Sequence, residues 1–128
     1  MCIALIVCAL MVACEKGPGE GGSSSISGRV IVRQYNANFT VLTEPPYEAT
    51  DEDVFIIYGD DDTYSDKTST NYDGTFRFDY LRKGEYSLYA YSEDSANYPS
   101  QREIAVIRTV KITRNKQDIK VPDIIILK

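Results

Sequence analysis

From Ile26 onward the chain alternates apolar and polar side chains in short runs, broken by turn residues and without any sustained helical spacing. That pattern commits the chain to β-structure. Ile26–Arg33 opens it, with Val30 and Val32 on one face. Asp53–Tyr58 contains the apolar run VFIIY and suits a central strand, whereas Asp66–Thr70 is polar and suits an edge. Thr75–Phe78 points Phe76 and Phe78 one way, and Glu85–Tyr91 places Tyr86, Leu88 and Ala90 on one face and Tyr89 and Tyr91 on the other. Glu103–Thr113 and Asp118–Leu127 supply the last two runs. Between them, Asn36–Thr50 with Pro45-Pro46 reads as a long loop with an edge segment, Gly59–Ser65 as an acidic turn and Asn71–Gly74 as a tight turn. Roughly seven short strands at this spacing predict an all-β sandwich over 26–128.

The segment before it is different. Met1–Ala13 is apolar and uncharged, too short to span a bilayer, and fits the hydrophobic region of a signal peptide. It has no basic residues ahead of it, which places the expected translation start upstream of Met1. Glu15–Ser25, EKGPGEGGSSS, reads as a flexible tether. The expected division is therefore a signal segment over 1–13, Cys14 with a linker over 14–25, and the sandwich over 26–128. Met11-Val12-Ala13-Cys14 resembles a bacterial lipobox. The resemblance implies cleavage before Cys14, a lipid on its sulfur, and a place in the cell envelope, at the outer membrane. The Cys-Glu-Lys start is similar to that of surface lipoproteins of Bacteroidetes.

Composition removes several functions. The 128 residues suffice for one domain and carry a net charge of −5. An acidic chain without a basic block lacks the phosphate-neutralising groups that nucleic acid requires. There is no His, so the commonest general base and metal ligand are missing, and a Ser-His-Asp triad cannot form. All three cysteines, Cys2, Cys8 and Cys14, lie in the first segment, leaving none for a disulfide or thiolate metal site in the body. Trp is absent as well, but Tyr occurs ten times.

Three motifs carry a resemblance. Ser27-Gly28-Arg29-Val30 opens the sandwich, Thr68–Phe78 reads TSTNYDGTFRF, and Leu81–Leu88 reads LRKGEYSL. Their order resembles the carboxypeptidase regulatory-like domains and the wider transthyretin-like and Cna-B-type sandwiches. The resemblance covers about Ile26–Leu127 and implies an Ig-like or transthyretin-like fold with a corner at Gly84 and Tyr86 as a tyrosine corner. The isopeptide bond of Cna-B-type domains is not expected: Arg33 stands on the first strand in place of Lys, Ala90 in place of the carboxylate, and the last strand has no Asn.

The remaining chemistry lies in side-chain clusters. Asp60, Asp61, Asp62 and Asp66 form an oxygen-rich loop of the kind Ca²⁺ takes, although the EF-hand spacing is missing. Carboxylates also occur in groups at Asp51–Asp53 and Glu93–Asp94, but a glycosidase must oppose two across a cleft. No enzymatic activity and no cofactor are expected. Tyr89 and Tyr91, with Tyr72 and Tyr80 in nearby turns, form a candidate binding surface, unless the Asn36–Thr50 loop covers them. Two partners follow. The first reading is an envelope protein bound by a non-catalytic lipoprotein module; the alternative is a glycan bound by an accessory module of a surface uptake system.

Overall fold

The computed structural model describes residues 17–95 and 102–128; Cys14 and the expected signal segment lie outside them. The described strands are β1 (Glu20–Arg33), β2 (Tyr47–Glu48), β3 (Asp53–Tyr58), β4 (Asp66–Ser69), β5 (Thr75–Leu81), β6 (Gly84–Glu93), β7 (Glu103–Ile112), β8 (Asp118–Lys120) and β9 (Ile124–Leu127). They form two sheets. In one, β1 is the spine: β5 and β2 pair with it antiparallel, and β8 and β9 pair with it in parallel. The other has the order β4-β3-β6-β7, antiparallel throughout. The expected all-β sandwich is the fold observed.

The core follows the alternation. Ile26, Val30, Val32, Phe76 and Phe78 from the first sheet meet Val54, Ile56, Tyr86, Leu88 and Ala90 from the second, all almost fully buried. Ile124 and Ile126 complete the layer. Removing each large side chain from water contributes about 1.5–3 kcal/mol. Asp118–Leu127 is two strands rather than one, because Pro122 lies between them and cannot donate to a ladder.

The first strand begins six residues before Ile26. Glu20–Ser25 is paired chain, so the flexible coil expected over Glu15–Ser25 does not extend through it. Glu20 and Ser24 both align with Leu81, so a bulge lies between them. A Cβ on Gly22 would come within 2.1 Å of the Leu81 carbonyl oxygen. Glycine here serves a close backbone approach, which composition alone reads as a linker.

Just upstream, Gly17–Glu20 is strapped to the corner between β5 and β6. Arg82 donates from Nε to the Gly17 carbonyl at 2.8 Å and from Nη1 to the Glu20 carbonyl. The Tyr86 hydroxyl donates to the Arg82 carbonyl at 2.6 Å and accepts the Gly19 N–H at 2.8 Å. This is the expected tyrosine corner, holding one additional segment of chain. Gly84 leaves room for the strap, since a Cβ there would stand 2.3 Å from Pro18 Cγ.

The edges of the second sheet are β4 and β7. β4 is short and polar, as expected. β7 is ten residues long but turns a charge inward: Arg108 stands opposite buried Leu88 and donates to the Asp123 carbonyl at 2.8 Å. An inward charge on an edge strand discourages a further strand from pairing there.

Candidate functional site

The outer face of the second sheet is built from the residues that the core leaves over. With Val54 and Ile56 buried, Phe55 must point away, and with Leu88 and Ala90 buried, so must Tyr89 and Tyr91. Register then brings them together. Phe55 lies opposite both Lys67 and Tyr89, and Tyr89 lies opposite Ile107, so one row crosses all four strands.

Four rings meet on that face. Phe55 and Tyr89 stack with centroids 5.0 Å apart and planes 17° from parallel. Tyr91 stands edge-on to both, at 5.6 Å from Phe55 and 5.5 Å from Tyr89. Tyr64, from the turn after β3, tilts against Phe55 at 4.9 Å. Aromatic pairs in these geometries contribute about 0.5–1.5 kcal/mol beyond the area they bury, so the rings hold one another in place. Tyr91 is 44 % exposed and Tyr64 is 45 % exposed, which leaves open rings on both sides of the half-buried stack. Burial first, and then the Tyr91 hydroxyl and Tyr64, push the Tyr89 phenol above its usual range, so it keeps its O–H at neutral pH.

The Asn36–Thr50 loop leaves Tyr91 exposed, and the Thr43 N–H, donating to the Gln34 carbonyl, closes the 34–43 stretch. A Tyr35–Leu42 bridge and the Asn36 carboxamide, which accepts the Thr40 and Val41 N–H groups, fold it into a hairpin of its own. Its Phe39 lines the same groove as Tyr91.

The other sequence candidates lie elsewhere. Tyr80 is 74 % exposed on β5 of the opposite sheet, and Tyr72 is 84 % exposed in the β4–β5 turn. Neither joins the four-ring cluster. In the acidic loop, Asp61 accepts the Ser65 hydroxyl and Asp66 accepts the Lys67 N–H. Among the described residues no three His, Cys, Asp or Glu side chains converge as metal ligands, those of the Asp60, Asp61, Asp62 and Asp66 loop included. Sequence reasoning missed Phe55 and Tyr64. Phe55 was within reach, because strand parity sends it to the face opposite Val54 and Ile56.

No protein-family model and no curated protein matches the chain. The resemblance to carboxypeptidase regulatory-like domains therefore rests on the motif residues and the sandwich they build. Among solved structures, the chain is similar to a Pseudomonas aeruginosa protein provisionally described as a carbohydrate binding protein. The match covers 94% of this chain and 96% of that one, with a TM-score of 0.50 and 15% sequence identity. At that identity the likeness shows a shared fold.

Proposed function

We propose that the chain is a non-catalytic sugar-binding module that receives its ligand on the outer face of β3, β6 and β7. The observation that carries this reading is the Phe55–Tyr64–Tyr89–Tyr91 cluster, with two of its rings open to solvent. A pyranose presents a face of C–H groups with partial positive charge, and an aromatic ring presents a negative face to meet it. Hydroxyls at the sugar's rim find donors and acceptors in the tyrosine O–H groups. The rings are fixed by mutual packing, so little rotamer entropy is lost when the ligand arrives. The fold shared with a provisionally described carbohydrate binder supports the same reading.

The proposal includes an anchor. A lipid on Cys14 would hold the module at the envelope, and three residues on the strap begins at Gly17. That stretch spans at most about 11 Å, so the sandwich would sit close to the bilayer with its Arg82–Tyr86 corner inward. β6 would carry Tyr91 about 17 Å beyond Tyr86. Intact mass of protein extracted from its native membrane tests the anchor: cleavage before Cys14 plus acyl chains is expected, with both lost in Cys14→Ser.

A glycan array probed with the folded domain tests the binding. Hits that vanish in the Tyr89→Ala, Tyr91→Ala double variant are expected. A blank array, together with an envelope protein retained through the same two tyrosines, would transfer this face to protein recognition.

A further inference from the structure

A groove of about 630 Å³ opens beside the aromatic face, where the 34–43 hairpin meets the ends of β6, β7 and β9. Its size is within the range of small-ligand sites. Tyr91 belongs to both the groove and the four-ring cluster, so the two are continuous. Phe39 provides a second ring on the groove wall. Among the described residues the polar lining is mostly acidic. Lys128 pairs with Glu52 at 3.0 Å, while Glu93 and Glu103 stand directly opposite each other across β6 and β7.

That cross-strand pair is informative. Like charges facing each other on adjacent strands destabilise the pairing. The pair stands on the exposed face, and local conflicts of this kind are expected at functional sites. An aromatic wall shared with the stacking face indicates a sugar. The charge sets which sugars are accepted: an anion entering the groove is repelled by the Glu93 and Glu103 carboxylates, whereas an amine is attracted to them.

Resting on the sugar-binding reading, we infer that this groove is a second subsite for the same ligand. It seats the unit next to the one stacked on the cluster. It accepts neutral and amine-bearing units and rejects uronates and sulfated sugars. The aromatic face binds, and the groove discriminates.

The test uses three oligosaccharides of equal length: a glucosamine oligomer, its N-acetylated counterpart and an oligogalacturonate. Each is titrated calorimetrically against the folded protein at low and at physiological salt. The expected order is amine, then neutral, then acid. The first step should be about fivefold at low salt, as for two partly exposed charge contacts, and should shrink as salt screens it. Glu93→Gln with Glu103→Gln should abolish that step. Asp60→Asn with Asp62→Asn makes the same change of charge at the other end of the sheet and should preserve the order. Equal binding of all three oligomers, or an order that survives Glu93→Gln with Glu103→Gln, overturns the groove inference while Tyr91-dependent neutral binding keeps the sugar reading. Absence of binding by every oligomer overturns both.

Discussion

Tyr86 and Tyr91 stand five positions apart on β6 and have opposite roles. Tyr86 is 1 % exposed, with its ring in the core and its hydroxyl between two backbone groups. Tyr91 is 44 % exposed and rests edge-on against two other rings. Strand parity alone separates them, since an odd spacing puts them on opposite faces. An identical side chain therefore supports the fold on one face and remains available to a ligand on the other.

The largest expected effect is on the inner face. Tyr86→Ala removes a buried ring and leaves the Gly19 N–H and Arg82 carbonyl without their partner, which should cost about 3–5 kcal/mol in urea unfolding. The fraction that still folds should bind sugar normally. If Tyr91→Ala cost as much, the division between the two faces would be wrong.

Next comes the bulge that feeds the strap. Gly22→Ala forces a methyl against the Leu81 carbonyl and should cost about 1–3 kcal/mol. A neutral result would mean that Glu20–Ser25 is not held as paired strand.

Alkaline pH should act on the inner tyrosines. Tyr58, edge-on to Tyr86 at 5.8 Å, has its phenol pushed up to about 12 by burial first, then by Asp66 and Glu20. Below pH 10 the folded and unfolded chains are both protonated there, and its contribution is fully in place. Between about 10 and 12 the unfolded chain ionises first, so stability falls as pH rises, and the contribution is lost beyond the folded value. Tyr58→Phe should flatten that part of a stability–pH curve; an unchanged slope would contradict the assignment. The smallest effect belongs to the outer face, where Tyr91→Ala should shift stability by less than about 1 kcal/mol.

Much of this was legible in the residues. Alternation located β3 within its observed bounds and assigned the two faces of β6, and the motif around Gly84 and Tyr86 marked the corner. The failures have physical causes. Glycine and serine in Gly21–Ser25 have the same composition whether they form a tether or a bulge, and only the Leu81 carbonyl, far away in sequence, distinguishes the two. Tyr72 and Tyr80 are near the Gly74 turn in sequence, but the chain crosses between sheets there, so they are remote from the cluster. Tyr64 joins the cluster from a turn, where strand periodicity gives no direction.

The most direct measurement is an NMR titration of the isotopically labelled domain with the strongest array hit. Saturable shifts are expected at Phe55, Tyr64, Tyr89 and Tyr91, with Tyr86 and the other core signals unmoved. Shifts confined to the outer face of β5, or none at ligand concentrations that the array shows to bind, would contradict the account.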